Sequence, residues 1–568
     1  MKRALTISLI ALLCLQHGAF CQNQHRALIV PVEFSDLSFS TSTLVIDSLA
    51  NALSKYYESQ FPDSTKFIFD VNPVVSVSNG YAYFGANTSD RRDALAHRMA
   101  VGIYRNLCNK MDMSVYDNNS DGSLNHIIFL TAGQAESYGG GDDQFWPQYI
   151  ELKDNEIPHN LRPKLTAFAI ASELNAEGKT NGIGMLAHEF GHVLGLKDMY
   201  DTDADASGGF CPGLGPTCLM DRGLDNDGAN TPPNLNAIER EMLGAGSCEL
   251  LDSSRVVSLE PIHLHGRYCK LPSSSDGQYW LLENRKAEGN DAFIGGEGML
   301  IYKVDKSDSP AGYSTYYQRT LSALERWNLN QINCNPEYPC AQIVPAVSDT
   351  VLTPETFWPQ PGKTTFSSGS KLAITGISRE AGGNISFKVL EPIHIDGVSV
   401  FQSSAIVAWS VSEELGPVDS CKIEWYNQGK LAGSSAGQST GLGCYSCTLG
   451  NLSPRTSYSY TAYVYYADGS SFSTDGSFTT RIYRSGIFRF IYLPEDGRNA
   501  DGSFKPGTAI PLVVYNSVGE EVEWSFNGRQ ISAGADGLWT IPDSGTLKAE
   551  VSTAKGSKET IIKEIVLK

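Results

Sequence analysis

Residues 188–198 read His-Glu-Phe-Gly-His-Val-Leu-Gly-Leu-Lys-Asp, and no other stretch constrains the chain as strongly. Residues four apart share one face of a helix, so His188 and His192 can aim both imidazoles at a single ion. Phe190, Val193 and Leu194, with Met185–Ala187 before them, give that helix an apolar face to bury. Gly195 permits the left-handed turn that ends the helix and lets the chain bring Asp198 back toward the histidines. Two imidazoles and a carboxylate would leave one position on zinc for water or a carbonyl. Glu189 then stands beside the ion without ligating it, placed to accept a proton and later return it. A bare H-E-x-x-H arises by chance in roughly one such chain per hundred, and the added Gly and Asp make coincidence rarer still. Asp201, Glu239 and Glu241 are the rival third ligands, the last two on a helix expected near Asn234–Leu243.

The 568 residues are too many for one ordinary domain. Lys+Arg 44 against Asp+Glu 63 gives a formal charge of −19, which disfavours nucleic acid and anionic membrane as partners. Met1–Cys21 reads as a signal peptide: Lys2 and Arg3, an apolar run from Leu5 to Leu15, then small residues. Export to the cell surface, the periplasm or the medium follows. Cys21 as a lipid-bearing residue is the weaker reading, because bulky Phe20 precedes it. The leader's apolar run is too short to span a bilayer as a lasting anchor, and no other segment approaches the length needed. Twelve cysteines less Cys14 and Cys21 leave ten, and an even number in an exported chain predicts disulfides. Cys211 with Cys218, and Cys334 with Cys340, are the nearest neighbours.

The expected fold is multidomain. A buried strand from Ala27, helices near Ser42–Ser59 and Asp90–Lys110, and a strand at His126–Thr131 imply an α/β layer. Short strands such as Tyr279–Glu283 and Gly298–Val304 mark a β-rich continuation. The boundaries read as signal peptide 1–21, catalytic domain 22–246, β-rich continuation 247–390, and two all-β sandwiches at 391–480 and 481–568. The first sandwich resembles a fibronectin type III domain, with Trp409 in its core and a tyrosine corner at Tyr458. The second resembles an immunoglobulin-like module, with strands at Val522–Phe526, Leu547–Val551 and Ile561–Val566. Both would bind extracellular protein or glycan, or act as spacers.

The H-E-x-x-H-x-x-G-x-x-D run resembles the zinc metalloproteases of the immune inhibitor A family, which look metzincin-like. The likeness extends from about Arg26 to Leu390. It includes Ala27–Asp36, the Asp117–Gly122 loop, Ala132-Gly133, Trp146-Pro147, Cys218-Leu-Met220-Asp221, Glu283-Asn284-Arg285 and Gly298–Tyr302 with Asp305. The resemblance implies a zinc endopeptidase acting on proteins or peptides, with His188, His192 and Asp198 on zinc and Glu189 as general base and acid. Met220 would form a hydrophobic base beneath the metal; an ordinary core methionine is the alternative. Family members often carry a prosegment that blocks the zinc. Here the first strand begins a few residues after the leader, so latency is expected to come from elsewhere in the chain.

Secondary signals carry two readings each. Asp117, Asn119 and Asp121 have the alternating spacing of a calcium loop, but Ile128 stands where a bidentate Glu belongs. A calcium site outside an EF-hand and a plain Asx-rich turn both fit. Asp201, Asp203 and Asp205, and Asp225 with Asp227, alternate likewise. His263 and His265 alternate as in a strand, more simply surface histidines than a second metal site. Gly433–Gly437 matches Gly-x-Ser-x-Gly without strand-to-helix context, and no histidine follows His394, so a serine hydrolase is excluded. Two further readings stand beside the endopeptidase: a catalytically silent binding or adhesion protein, and a zinc hydrolase of a non-peptide amide.

Overall fold

The computed structural model describes residues 24–89, 91–347, 352–367, 371–481, 489–499, 501–517, 520–552 and 558–568. The expected signal peptide, with Cys21, lies outside the described residues. The chain divides into two compact units, the first essentially Met1–Phe366 with Ile374–Lys388, the second essentially Val389–Lys568.

The first unit is built on a six-stranded sheet whose main strands are β1 (Gln24–Glu33), β2 (Lys66–Val71), β3 (Ile127–Gln134), β4 (Gln148–Glu151) and β5 (Ala167–Leu174), ordered β2-β1-β3-β5-β4, with the two-residue strand Val75–Ser76 also pairing with β1. β2, β1, β3 and β5 run parallel, with Leu28 opposite Ile127 and Ile128 opposite Ala169; edge strand β4 runs antiparallel to β5. Side chains alternate between faces along a strand, and the two cores follow that alternation. Ala27, Ile29, Ile128 and Leu130 pack with α1 (Thr43–Gln60) and α3 (Ile183–Val193). Leu28, Val30, Ile127 and Phe129 pack with α2 (Ala96–Cys108) on the opposite face. Helices on both faces explain why the middle of β1 and the first halves of β3 and β5 are apolar at consecutive residues rather than at every second one.

After α4 (Ala237–Leu243) comes a second sheet of β6 (Ser247–Leu250), β7 (Arg267–Pro272), β8 (Gln278–Arg285), β9 (Gly298–Asp305) and β10 (Ala341–Ile343), ordered β10-β9-β8-β7-β6. Between β9 and β10 lies the short helix α5 (Ala323–Asn328), started by a Ser322/Glu325 capping box. A buried ion network joins β8 to the first layer. Arg285 Nε donates to Glu283 Oε1 at 2.6 Å, and its Nη1 donates to Asp291 Oδ1 at 2.6 Å and to the Asn234 carbonyl at 2.9 Å. Its Nη2 reaches the Thr217 carbonyl, and Glu283 Oε2 accepts the Ala237 N–H that opens α4.

In the second unit, Ile393–Val400, Ala405–Val411, Gln438–Gly441 and Cys444–Leu449 form one four-stranded sheet. Val418–Asn427, Lys430–Ala436, Ser457–Tyr466 and Ser471–Thr479 form another. Trp409 is fully buried in their shared core. The Tyr458 hydroxyl accepts the Ser453 N–H at 3.0 Å, a tyrosine-corner bond. Residues 521–565 supply another four-stranded sheet around Trp524, Phe526 and Leu547.

Two expectations fail in detail. Ile262–His265 is one helical turn, closed by Gly266 at φ 66°, not a strand. His263 turns to Glu288 and His265 to Glu260, so the two imidazoles do not share a site. The structure forms no cysteine–cysteine bond among the described residues, so neither expected pair is joined. Three of the four thiols have other polar neighbours. Cys218 points at Glu239 Oε1 at 3.2 Å, Cys334 lies 3.0 Å from Thr202 Oγ1, and Cys340 lies 3.6 Å from the Tyr338 carbonyl.

Candidate metal centre

Helix α3 is buried along almost its whole length, and the turn after it sets the geometry of the centre. Gly195 takes φ 104°, its N–H bonding to the His192 carbonyl and the next N–H to the Gly191 carbonyl, both at 2.9 Å. That turn returns the Leu196 carbonyl to 3.0 Å from His192 Nδ1. His188 Nδ1 meets the Leu219 carbonyl at the same distance. Each neutral imidazole has one N–H, and a backbone carbonyl engages it at Nδ1; the Nε2 lone pairs are therefore free to point inward.

Both Nε2 atoms lie 3.2 Å from Asp198 Oδ1, an oxygen buried without a hydrogen-bond donor. With both imidazoles neutral, three lone-pair atoms so close repel unless a metal cation lies among them; without one, a proton on an imidazole turns the contact attractive. Ligand atoms on a tetrahedral zinc with bonds of about 2.0–2.1 Å stand about 3.3 Å apart, so the spacing fits such an ion. Burial works to raise the Asp198 carboxyl and to lower both imidazoles. Their mutual attraction outweighs it, holding Asp198 well below the carboxylate range and both histidines above theirs.

Glu189 is also buried, and Oε2 has no hydrogen-bond partner. Burial first, with the Asp198 charge added and His188 opposing, pushes its carboxyl up to about 8. A carboxyl near neutrality can both accept and release a proton. Met220 is fully buried against α3, with its N–H bonded to Glu239 Oε1 at 2.9 Å and its carbonyl accepting the Met199 N–H at 2.8 Å. Tyr200 stands beside the centre, its ring 6.3 Å from that of His188.

The rivals for third ligand face elsewhere. Glu239 holds the Met220 and Asn236 N–H groups, and Glu241 pairs with Lys270, Lys306 and Tyr279. Asp201 accepts the Asp203 and Cys211 N–H groups. Asp201 and Asp203 do converge, but with Cys334 and not with Asp205. Asp225 accepts the Tyr138 hydroxyl and Asp227 the Thr231 hydroxyl. In the Asp117–Gly122 loop, Asp117 accepts the Asp121 and Gly122 N–H groups, Asp121 accepts the Ser123 N–H, and Asn119 Nδ2 donates to Asp121. These are Asx-type turns.

Sequence reading missed Asn330, whose side chain bonds twice to Asp198. It lies 132 residues beyond its partner in a polar stretch, where no spacing marks it.

Comparison with known proteins finds relatives for the stretch that carries this geometry. Residues 30–213 match the immune inhibitor A peptidase M6 catalytic domain. Immune inhibitor A of Bacillus thuringiensis subsp. alesti is 28% identical over 193 residues, covering 28% of this chain and 27% of the relative. The pre-pro-metalloprotease PrtV of Vibrio cholerae serotype O1 (strain M66-2) is 25% identical over 207 residues, covering 31% and 22%. The matched stretch thus spans about a quarter of the length of these relatives. Residues 30–213 are thus similar to an immune inhibitor A (M6) peptidase domain, and His188, Glu189, His192 and Asp198 all lie within the matched residues.

Proposed function

We propose that the chain is an exported zinc-dependent endopeptidase with a metzincin-like catalytic domain, acting on extracellular proteins or peptides. One observation carries this reading: Asp198 Oδ1 lies 3.2 Å from Nε2 of both His188 and His192, with nothing donating to it. His188, His192 and Asp198 would hold the ion. Zinc, when bound, polarises a scissile carbonyl and makes water acidic enough to attack near neutral pH. Glu189 takes the proton of the attacking water on a carboxylate oxygen and returns it to the departing amine. Its buried surroundings raise the carboxyl toward neutrality, which suits both halves of that transfer. The Leu219 and Leu196 carbonyls keep each imidazole in the tautomer that offers Nε2. Met220 supports α3 from below without ligating. The sandwiches of the second unit serve binding or spacing. Among the described residues no helix is long and apolar enough to cross a membrane.

Casein digestion by wild type and Glu189→Ala, with zinc measured on both, tests the reading. About one zinc per chain in each, with cleavage by wild type alone, is expected. Zinc without cleavage of casein by either favours the non-peptide amide hydrolase. Absence of zinc from both sinks the metalloenzyme and leaves a silent binding protein that keeps the fold.

A further inference from the structure

The third ligand of the centre is set in place from outside the matched peptidase stretch. Asn330 follows α5 in the connection between β9 and β10, well past residue 213 where that match ends. Its Oδ1 accepts the Asp198 N–H at 2.8 Å, and its Nδ2 donates to Asp198 Oδ2 at 2.6 Å. Only one orientation of the amide satisfies both contacts, because the reverse would set donor against donor and acceptor against acceptor. The bonds divide the carboxylate between two tasks: Oδ2 is tied to Asn330, while Oδ1 is left bare toward the two imidazoles.

Three neighbouring contacts make the same segment a clamp. Asn333 Nδ2 donates to the Met199 carbonyl at 2.7 Å, and the Thr202 hydroxyl donates to the Asn330 carbonyl at 3.1 Å. The Met199 N–H in turn bonds to the Met220 carbonyl at 2.8 Å, linking the clamped stretch to the floor of the centre. Asn330 sits at φ 56°, a left-handed conformation that Asn and Gly tolerate and most residues do not.

We propose that Asn330 is a positioning residue that fixes Asp198 as the third zinc ligand, so that the β-rich continuation is an obligatory part of the metal centre. The inference rests on the zinc reading above. Outer partners of ligating residues typically govern metal affinity by about 10–100-fold. Asp at 330 would keep the shape and accept the N–H, yet set a carboxylate against Asp198 Oδ2. Gly at 330 keeps the left-handed backbone and removes both bonds.

The test compares full-length wild type, Asn330→Asp, Asn330→Gly and Thr202→Val, each checked for folding by far-UV circular dichroism. Thr202→Val loosens the same segment without touching Asp198. Zinc affinity is measured by competition with a chromophoric chelator, and ligand geometry by the visible spectrum of the Co(II)-substituted protein. Zinc binding weakened about tenfold or more, with displaced Co(II) bands, is expected in both Asn330 variants, and neither change in Thr202→Val. Should Asn330→Asp misfold, Asn330→Gly decides. Affinity and Co(II) spectrum matching wild type in the folded Asn330 variants overturn the inference, as does equal loss in Thr202→Val. A wild type that binds no zinc overturns the endopeptidase reading itself, a result distinct from wild type and variants binding zinc alike.

Discussion

Gly191 lies between the two histidines of α3, and a Cβ there would stand only 2.7 Å from Sδ of Met220. Leu196 closes the same space from another side, at 3.3 Å. The H-E-x-x-H helix therefore needs its glycine because the methionine packs directly on its backbone. Ala at 191 would gain about 1 kcal/mol in helix propensity. Against that, forcing a methyl into a filled core costs about 1–3 kcal/mol. Gly191→Ala is expected to be net destabilising by up to about 2 kcal/mol, read as a lowered calorimetric transition. Met220→Leu, which nearly conserves volume, should cost under about 1.5 kcal/mol. Met220→Ala leaves a cavity and should cost about 2–5 kcal/mol.

The Arg285 network predicts a larger effect. Arg285, Glu283 and Asp291 are all fully buried, and the two carboxylates share one guanidinium. Leu in place of Arg285 strands both acids in the interior and frees the Thr217 and Asn234 carbonyls. Removing one partner of a buried pair costs about 3–5 kcal/mol. Urea unfolding of Arg285→Leu should show a loss of at least that size. A loss under about 1 kcal/mol would mean that the carboxyls relax to solvent or protonate cheaply.

Asp93 makes stability depend on pH. It is fully buried beneath edge strand β4, accepting the Trp146 N–H at 3.1 Å and the Gln148 amide, with its other oxygen unpartnered. Burial, joined by Glu136 and opposed by those donors and Arg92, pushes its carboxyl up to about 7. The folded state then keeps a proton that the unfolded chain loses near pH 4, so this contribution is complete below that pH and fades as pH rises toward 7. The slope from one such group is at most about 1.4 kcal/mol per pH unit. Asp93→Asn, which also suits the left-handed φ of 47° at this position, should flatten the decline between pH 4 and 7 in urea unfolding curves. An unchanged slope would place the carboxyl in contact with water.

The histidine helix was legible because its evidence is local: a four-residue spacing, an apolar face and a glycine stop lie within eleven residues. The parallel strands were legible too, since burial on both faces leaves unbroken apolar runs such as Leu28–Val32. The turn at Ile262–His265 was not. Alternating Ile, His, Leu and His imitates a strand, and the left-handed Gly266 that closes it as a helix leaves no periodic trace. What orients the centre was equally hidden. Leu219 acts through its carbonyl, which any residue supplies, and Asn330 and Glu239 act through contacts made only once the chain has folded. Sequence displays the ligands of such a site, while their supports are a property of tertiary structure.

Metal linkage separates ligand from support. A ligand that binds only the folded state stabilises it by about 2.7 kcal/mol at one hundred times its dissociation constant. Zinc added to chelator-stripped wild type should therefore raise the unfolding transition in a concentration-dependent way. Asp198→Asn keeps both bonds to Asn330 within reach if its amide turns suitably, but it removes the anionic charge shared by His188 and His192. This variant should gain little from the same zinc. Its metal-free form should also lose the attraction that holds both imidazoles above their usual range, making it less stable than metal-free wild type at pH 5–6. Glu189→Ala, by contrast, should retain the full zinc shift, because that carboxylate faces the centre without binding it. Calorimetry of the three proteins with and without zinc decides the matter: an undiminished shift in Asp198→Asn would remove Asp198 from the ligand set and return the third position to another group.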